Sequence, residues 1–275
     1  MSGRKVSLRL LRLAAGSGVV FVVGGNILGA DAGKPGQKAP AGQPQTTVLS
    51  QQVAVNGNGA LQFDGLDDYV GIPDSPSLDP NNKTIECWVK PTELATAYEY
   101  VISKYKPNIP KGGYCLGLNT NGRFFAVVIG NESGAQINTV PGTYQANNWY
   151  HVVLVHDYDA NTIKLYVNGV LKGINTNLVG YTPYHSTLCF GKSSYGNTGY
   201  FKGVIDDVRI YNVALNAEQV LKHFAAPGKP VAQGLVSWWK LDGTEKQTSA
   251  VDESKANSGT LYNFFLSPDS GWITR

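Results

Sequence analysis

The stretch GVIDDVRIYNVALNAEQV (Gly203–Val220) sets two acids side by side in an otherwise apolar run. Read as a regular strand over 204–211, its side chains alternate between two faces. Ile205, Asp207, Arg209 and Tyr211 then share one face, and Val204, Asp206, Val208 and Ile210 share the other. Asp206 becomes an acid on an apolar face, where an ionised carboxylate needs a partner. Beyond the strand the period changes. NAEQVLKHF predicts a helix, with Asn216 as its N-cap and Val220, Leu221 and Phe224 as its apolar stripe.

Upstream, from Ala60 on, short strand-like runs alternate with turn signals, among them ALQFDG, KTIECWVKP, RFFAVVIG, WYHVVLVHD and TIKLYVNG. The Asn-Gly centres of NTNGR (Asn119–Arg123) and VNGVL (Val167–Leu171) predict hairpins. Composition agrees: 32 Gly, 15 Tyr and only 16% charged residues suit many short strands joined by tight turns. The chain reads as all-β. Its formal charge of +3 owes much to Arg4, Lys5, Arg9 and Arg12, and the remainder is near neutral, which excludes a composition-level case for nucleic acid.

Those four basic residues open an export signal over residues 1–32. The apolar run LAAGSGVVFVVGGNILG (Leu13–Gly29) follows, and Ala30-Asp31-Ala32 fits a small-x-small cleavage pattern. The run is broken by glycines and short for a span, so no membrane span is expected after cleavage, and the mature protein is expected to be secreted or held at the cell envelope. Residues 33–57 read as a Pro/Gly/Gln-rich linker and lead-in, 58–224 as the sandwich, 225–233 as a second linker and 234–275 as a tail. Cys87, Cys115 and Cys189 each lie in an apolar run; buried small hydrophobes and one disulfide with a thiol left over both fit.

The ordered set ALQFDGLDDYVGIPDSPSL, KTIECWVKP, GGYCLGLNTNGR, NNWYHVVLVHD, TIKLYVNGV and GYFKGVIDDVRIYNVALNAEQV resembles the laminin-G-like domain of the concanavalin A-like lectin/glucanase superfamily. The resemblance implies a jelly-roll sandwich of two curved antiparallel sheets, used in exported proteins to bind carbohydrate or protein and often holding one calcium ion. In that family the acid just before the V-R-[IV]-Y strand commonly helps hold the ion, which points to Asp206. Asp64 and Asp67 of FDGLDDYV are the other expected ligands. Calcium takes six to eight oxygens, and an ion beside Asp206 would supply the counter-charge its face lacks. The competing reading makes Asp64 and Asp67 ordinary turn formers.

Enzymatic readings lack their chemistry. The glucanases of this superfamily carry E-x-D-x-x-E on one strand, whereas Glu86 stands alone. AQINTV and GYFKGV resemble the Q-I-H and Y-F-K motifs of polysaccharide lyases of the same architecture, but Asn138 replaces the histidine that would serve as base. Binding remains. Tyr98, Tyr144, Tyr181, Tyr184, Tyr195 and Tyr200 read as loop aromatics able to stack on sugar rings. The expected function is a non-catalytic module recognising glycan or an extracellular or envelope protein, with a structural calcium ion. A polysaccharide-active enzyme and an envelope assembly protein are the alternatives. The tail opens with GLVSWWKLDG, which looks like the first strand of another such unit placed at the wrong end. It is expected to fold back and fill the place before Ala60, to be a truncated second unit, or to pair with another molecule, so monomer and tail-mediated oligomer both stand.

Overall fold

The computed structural model describes residues 59–108, 111–131, 134–265 and 268–274. The expected export signal and the whole of the lead-in linker lie outside the described residues. Sixteen strands form two antiparallel eight-stranded sheets. The first comprises β1 (Gly59–Asp64), β3 (Lys83–Pro91), β8 (Tyr150–Asp157), β9 (Thr162–Val167), β10 (Val170–Asn175), β12 (Lys202–Tyr211), β13 (Leu235–Trp239) and β16 (Gly271–Thr274). Its order is β10-β9-β8-β3-β12-β1-β16, with β13 also on β12. The second contains β2 (Tyr69–Ile72), β4 (Glu99–Lys106), β5 (Gly112–Asn119), β6 (Arg123–Ile129), β7 (Gly134–Asn138), β11 (Leu188–Phe190), β14 (Ser249–Ala250) and β15 (Gly259–Tyr262), in the order β14-β15-β2-β11-β4-β5-β6-β7. Both predicted hairpins form. Asn121 and Gly122 have φ of 64° and 66°, and Asn168 and Gly169 have 52° and 75°, the left-handed pairs a two-residue turn requires.

The main core lies between the sheets. From the first sheet Ile85, Cys87, Val89, Val152, Leu154, Ile163 and Leu165 face inward; from the second come Val70, Ile72, Ile102, Leu116, Phe124 and Phe190. The first sheet's strands are apolar on their other face too, because α1 (Ala217–Ala225) covers it. There Val153, Val155, Tyr166, Tyr211, Leu215 and Val220 form a second buried cluster. Asn216 caps this helix as expected, in a reciprocal capping box with Gln219. The buried stripe differs from expectation: His223 is buried while Leu221 is 51% exposed.

Regular alternation fails in β12. Asp206 pairs with Trp88 and Arg209 with Glu86, so Asp207 and Val208 together oppose the single residue Cys87. This is a β-bulge, and Asp207 takes the left-handed conformation it demands (φ 52°). One extra residue flips the parity downstream. Ile205, Val208 and Ile210 therefore all reach the main core, while Asp206, Asp207, Arg209 and Tyr211 turn to the helix-covered side. Asp206 is not an acid on the core face.

The sandwich extends to Thr274. β12 pairs with β1 over its first half (Leu61↔Ile205) and with β13 over its second (Val208↔Trp239). Both partners run antiparallel to β12, so β13 and β1 lie end to end as two pieces of one strand position. They meet where Asp242 Oδ1 accepts from the Gly59 amide at 3.1 Å. The remaining tail completes both sheets, β16 beside β1 and β15 beside β2. It adds Trp239, Leu241, Ala250, Leu261 and Phe264 to the core. Trp239 is fully buried, edge-on to Phe190 at 5.1 Å, with its indole N–H donated to the Asn257 carbonyl at 2.8 Å. Trp239→Ala is expected to cost about 3–5 kcal/mol of unfolding free energy. Urea denaturation checks this, and a loss under 1 kcal/mol would mean the tail does not hold the sandwich together.

Candidate functional site

Asp64 ends β1, and the turn Gly65–Asp68 leads into β2. Gly65, with φ of 81°, makes that turn. It gathers carboxylate oxygens of Asp64, Asp67 and Asp68 to within 4.8 Å of one another. Asp68 Oδ2 accepts from the Asp64 amide (2.9 Å), and Asp68 Oδ1 accepts from the Ser270 hydroxyl (3.0 Å). Asp64 Oδ1 accepts from Leu66 N, and the Asp67 carbonyl from Asn263 Nδ2. Burial pushes the Asp68 carboxyl up to about 6; the two hydrogen bonds oppose this and the neighbouring Asp64 charge adds to it. Asp206 is not part of this cluster. The β1–β12 register sets it opposite Ala60, four residues from Asp64, or about 13 Å along the strand. Its Oδ1 accepts from the Asp207 amide at 2.7 Å. Sequence reasoning passed over Asp68 as a ligand candidate, although it adjoins Asp67 and immediately precedes a strand.

Glu86, the lone acid of KTIECWVKP, lies fully buried under α1. Arg209 Nη1 donates to its Oε1 at 2.8 Å, and Arg209 Nη2 to Asp207 Oδ2 at 2.5 Å. The Val231 amide donates to His223 Nε2, so Nδ1 holds the ring hydrogen and donates it to Glu86 Oε2 at 2.9 Å. His151 Nε2 stands 3.5 Å from the same oxygen. Burial alone would raise the Glu86 carboxyl; the His151 and His223 contacts and the Arg209 charge hold it well below the usual range. With no exposure to solvent, Glu86 is a structural anion. Replacing Arg209 with Met should cost about 3–5 kcal/mol at pH 7, because two buried carboxylates lose their counter-charge. A carboxyl held low contributes stability above its unfolded value near 4.5 and loses it as pH falls through the folded value. The wild-type advantage over Arg209→Met should therefore narrow below pH 4.5. Urea midpoints at pH 7 and pH 4 measure it.

The six sequence-predicted tyrosines separate. Tyr98 is 49% exposed and stands edge-on to Phe125, ring centres 4.9 Å apart. Tyr195 is exposed and Tyr184 half-buried, with the Lys106 ammonium 5.6 and 6.0 Å from their rings. Tyr200 is half-buried. Tyr144 and Tyr181 are not loop platforms. Tyr144 is buried against Phe124 with its hydroxyl accepting from Ala95 N, and Tyr181 packs under the Lys83 ammonium and donates to Asp79 at 2.6 Å. Both follow turns that dive back to the core, which their loop composition concealed. All three cysteines are free and buried.

The outward face of the second sheet holds further groups that sequence reasoning missed. Tyr69 and Tyr262 stack at 4.5 Å, with the Lys192 ammonium 4.2 Å from the Tyr69 ring. Across β5, β6 and β7 lie Asn119, Arg123, Asn138 and Gln136. The Gln136 amide donates to Asn138 Oδ1 (3.2 Å) and the Tyr98 hydroxyl (3.4 Å). The signal was there in part: an Asn-Gly turn fixes Asn119 opposite Arg123, and Gln136 and Asn138 alternate onto one face. A depression of about 560 Å³ lies elsewhere, lined by Gly59, Asp242, Glu245, Trp272 and Thr274 where tail meets β1.

No curated protein matches the sequence. Among solved structures, the chain is similar to a candidate carbohydrate-binding protein from Bacteroides ovatus at 19% identity and a TM-score of 0.61. The match covers 80% of this chain, which spans only 60% of that protein's length. It is also similar to a heptameric SAP-like pentraxin from Limulus polyphemus, at 16% identity and a TM-score of 0.50, over 80% of this chain and 96% of that one. Identities this low establish the fold alone. The laminin-G family model of the concanavalin A-like lectin/glucanases superfamily matches residues 63–221, more than half of the chain, and the protein belongs to that family.

Proposed function

We propose that this chain is an exported carbohydrate-binding module with no catalytic function of its own, presenting the outward face of its second sheet to glycans and stabilised by calcium. The observation that carries the reading is the exposed set of Gln136 and Asn138 on β7 with Tyr98, which immediately precedes β4, beside them. A ring for stacking beside amides that donate and accept is what a sugar's apolar face and hydroxyls need. The fold shared with the Bacteroides ovatus protein supports it. The burial of Glu86 removes the acid that a glucanase-like reading would have used. A glycan array probed with the full chain tests the reading. Tyr98→Ala should weaken the best ligand by about tenfold, the loss of one stacking contact, and equal binding by wild type and variant would count against this face.

The calcium ion belongs at Asp64, Asp67 and Asp68 rather than at Asp206. Three converging carboxylates offer the hard oxygens calcium takes. The burial that pushes the Asp68 carboxyl up to about 6 penalises its bare charge, and a bound cation would offset that penalty. Free calcium at 100 times its dissociation constant would add about 2.7 kcal/mol. Chelator should lower the melting temperature, and Asp68→Asn should abolish that response. Without the ion, a carboxyl raised to about 6 favours the fold below its unfolded value near 3.8 and withdraws that support as pH rises through 6. Chelated protein should thus be more stable at pH 5 than at pH 7.5, by about 1 kcal/mol after solvent screening. A melting temperature that ignores chelator would sink the calcium assignment.

A further inference from the structure

The outward face of β5–β7 holds polar atoms left without partners. Asn119 closes β5 and Arg123 opens β6, directly opposite each other across the hairpin. Asn119 is 7% exposed, and its buried Oδ1 accepts no hydrogen bond; the buried Nε of Arg123 donates none. Among the described residues Arg123 also has no ion pair. Buried polar groups in folded proteins are nearly always satisfied, so two orphans side by side call for an explanation. Their surroundings are the amides already described. Asn119 Nδ2 donates to Asn138 Oδ1 at 2.7 Å, and Gln136 and Tyr98 continue the line.

We propose that this patch binds an acidic sugar residue, a hexuronate or its sulfated equivalent. The inference rests on the glycan-binding reading and narrows its ligand. The two orphans ask for opposite things: Asn119 Oδ1 needs a donor, and the Arg123 guanidinium needs an anion. A sugar acid carries hydroxyl donors and an anionic acceptor on one ring. A neutral sugar would leave the Arg123 charge unmet, and sulfate or chloride alone would bring no hydrogen to Asn119 and no ring face to Tyr98. Its carboxylate or sulfate would take the forked donors of Arg123, its hydroxyls would meet Asn119, Asn138 and Gln136, and its apolar ring face would turn to Tyr98.

Calorimetric titration of the full chain, saturated with calcium, tests this with three trisaccharide probes: galacturonate, neutral galactose and sulfated galactose. An acidic probe should bind at least tenfold more tightly than the neutral one, with an affinity that falls as salt rises. R123Q should bring the acidic probe down to the neutral level, and N119A should weaken every probe. If R123Q fails to fold, judged by its melting curve, R123K keeps the charge without the fork and should lose most of the preference. Tighter binding of the sulfated probe with the same Arg123 dependence supports the site with sulfate as the anion. Equal affinity for acidic and neutral probes, or a preference that survives R123Q, overturns the inference and leaves the glycan reading standing. Binding to none of these probes and to no sugar on the array overturns both.

Discussion

Glu86 is a charge with no water around it, and the first sheet is arranged to keep that charge partnered. Burying an isolated carboxylate is prohibitive unless cations and hydrogen-bond donors surround it. Its partners come from four pieces of chain: Arg209 from β12, His151 from β8, His223 from α1 and, through His223, the amide of Val231. Asp207 takes the second arm of the Arg209 fork and accepts from the Trp238 indole on β13. The helix is thereby tied to the sheet by a hydrogen bond to the buried carboxylate as well as by the packing of Val220. The bulge at Asp207 is part of the same device, since without the extra residue Arg209 would point into the main core.

The two outward faces have consequently diverged. That of the first sheet is sealed by α1 and spends its polar groups internally. Among the described residues no helix covers that of the second sheet, which keeps amides and rings in solvent. Phe125, Val127 and Ile129 are nevertheless buried there, beneath the half-exposed rings of Tyr100 and Tyr105. An apolar floor with polar and aromatic edges is a surface on which a flat ligand can lie without an enclosing cavity.

Much of this was legible in the sequence, because period, turn chemistry and motif order are local properties. The two Asn-Gly hairpins, the Asn216 cap and the all-β class follow from residues within a few positions of one another. The bulge was not legible. Parity along a strand is read on the assumption of one residue per register step, and a single Asp in the left-handed conformation breaks it without altering composition. The acidic cluster was half legible for a similar reason: FDGLDDYV announces it, but the partners that close it, Asn263 and Ser270, arrive from some 200 positions later. Tyr144 and Tyr181 misled because loop sequence says nothing about whether a ring turns outward or back toward the core.

The pairing of β1 with β16 has a mechanical consequence. Gly59 lies opposite Thr274, so chain entering at one and leaving at the other does so within one strand spacing, about 5 Å. Both ends of the described sandwich share one corner. A pull that parts these two ends would open the β1–β16 ladder from that corner, while the β12 ladder on the other side of β1 still holds the strand. That corner is at the β16 side of the molecule, whereas β7 lies at the far side against β10. The open face of β5–β7 therefore lies at the opposite edge of the sandwich from the paired residues Gly59 and Thr274.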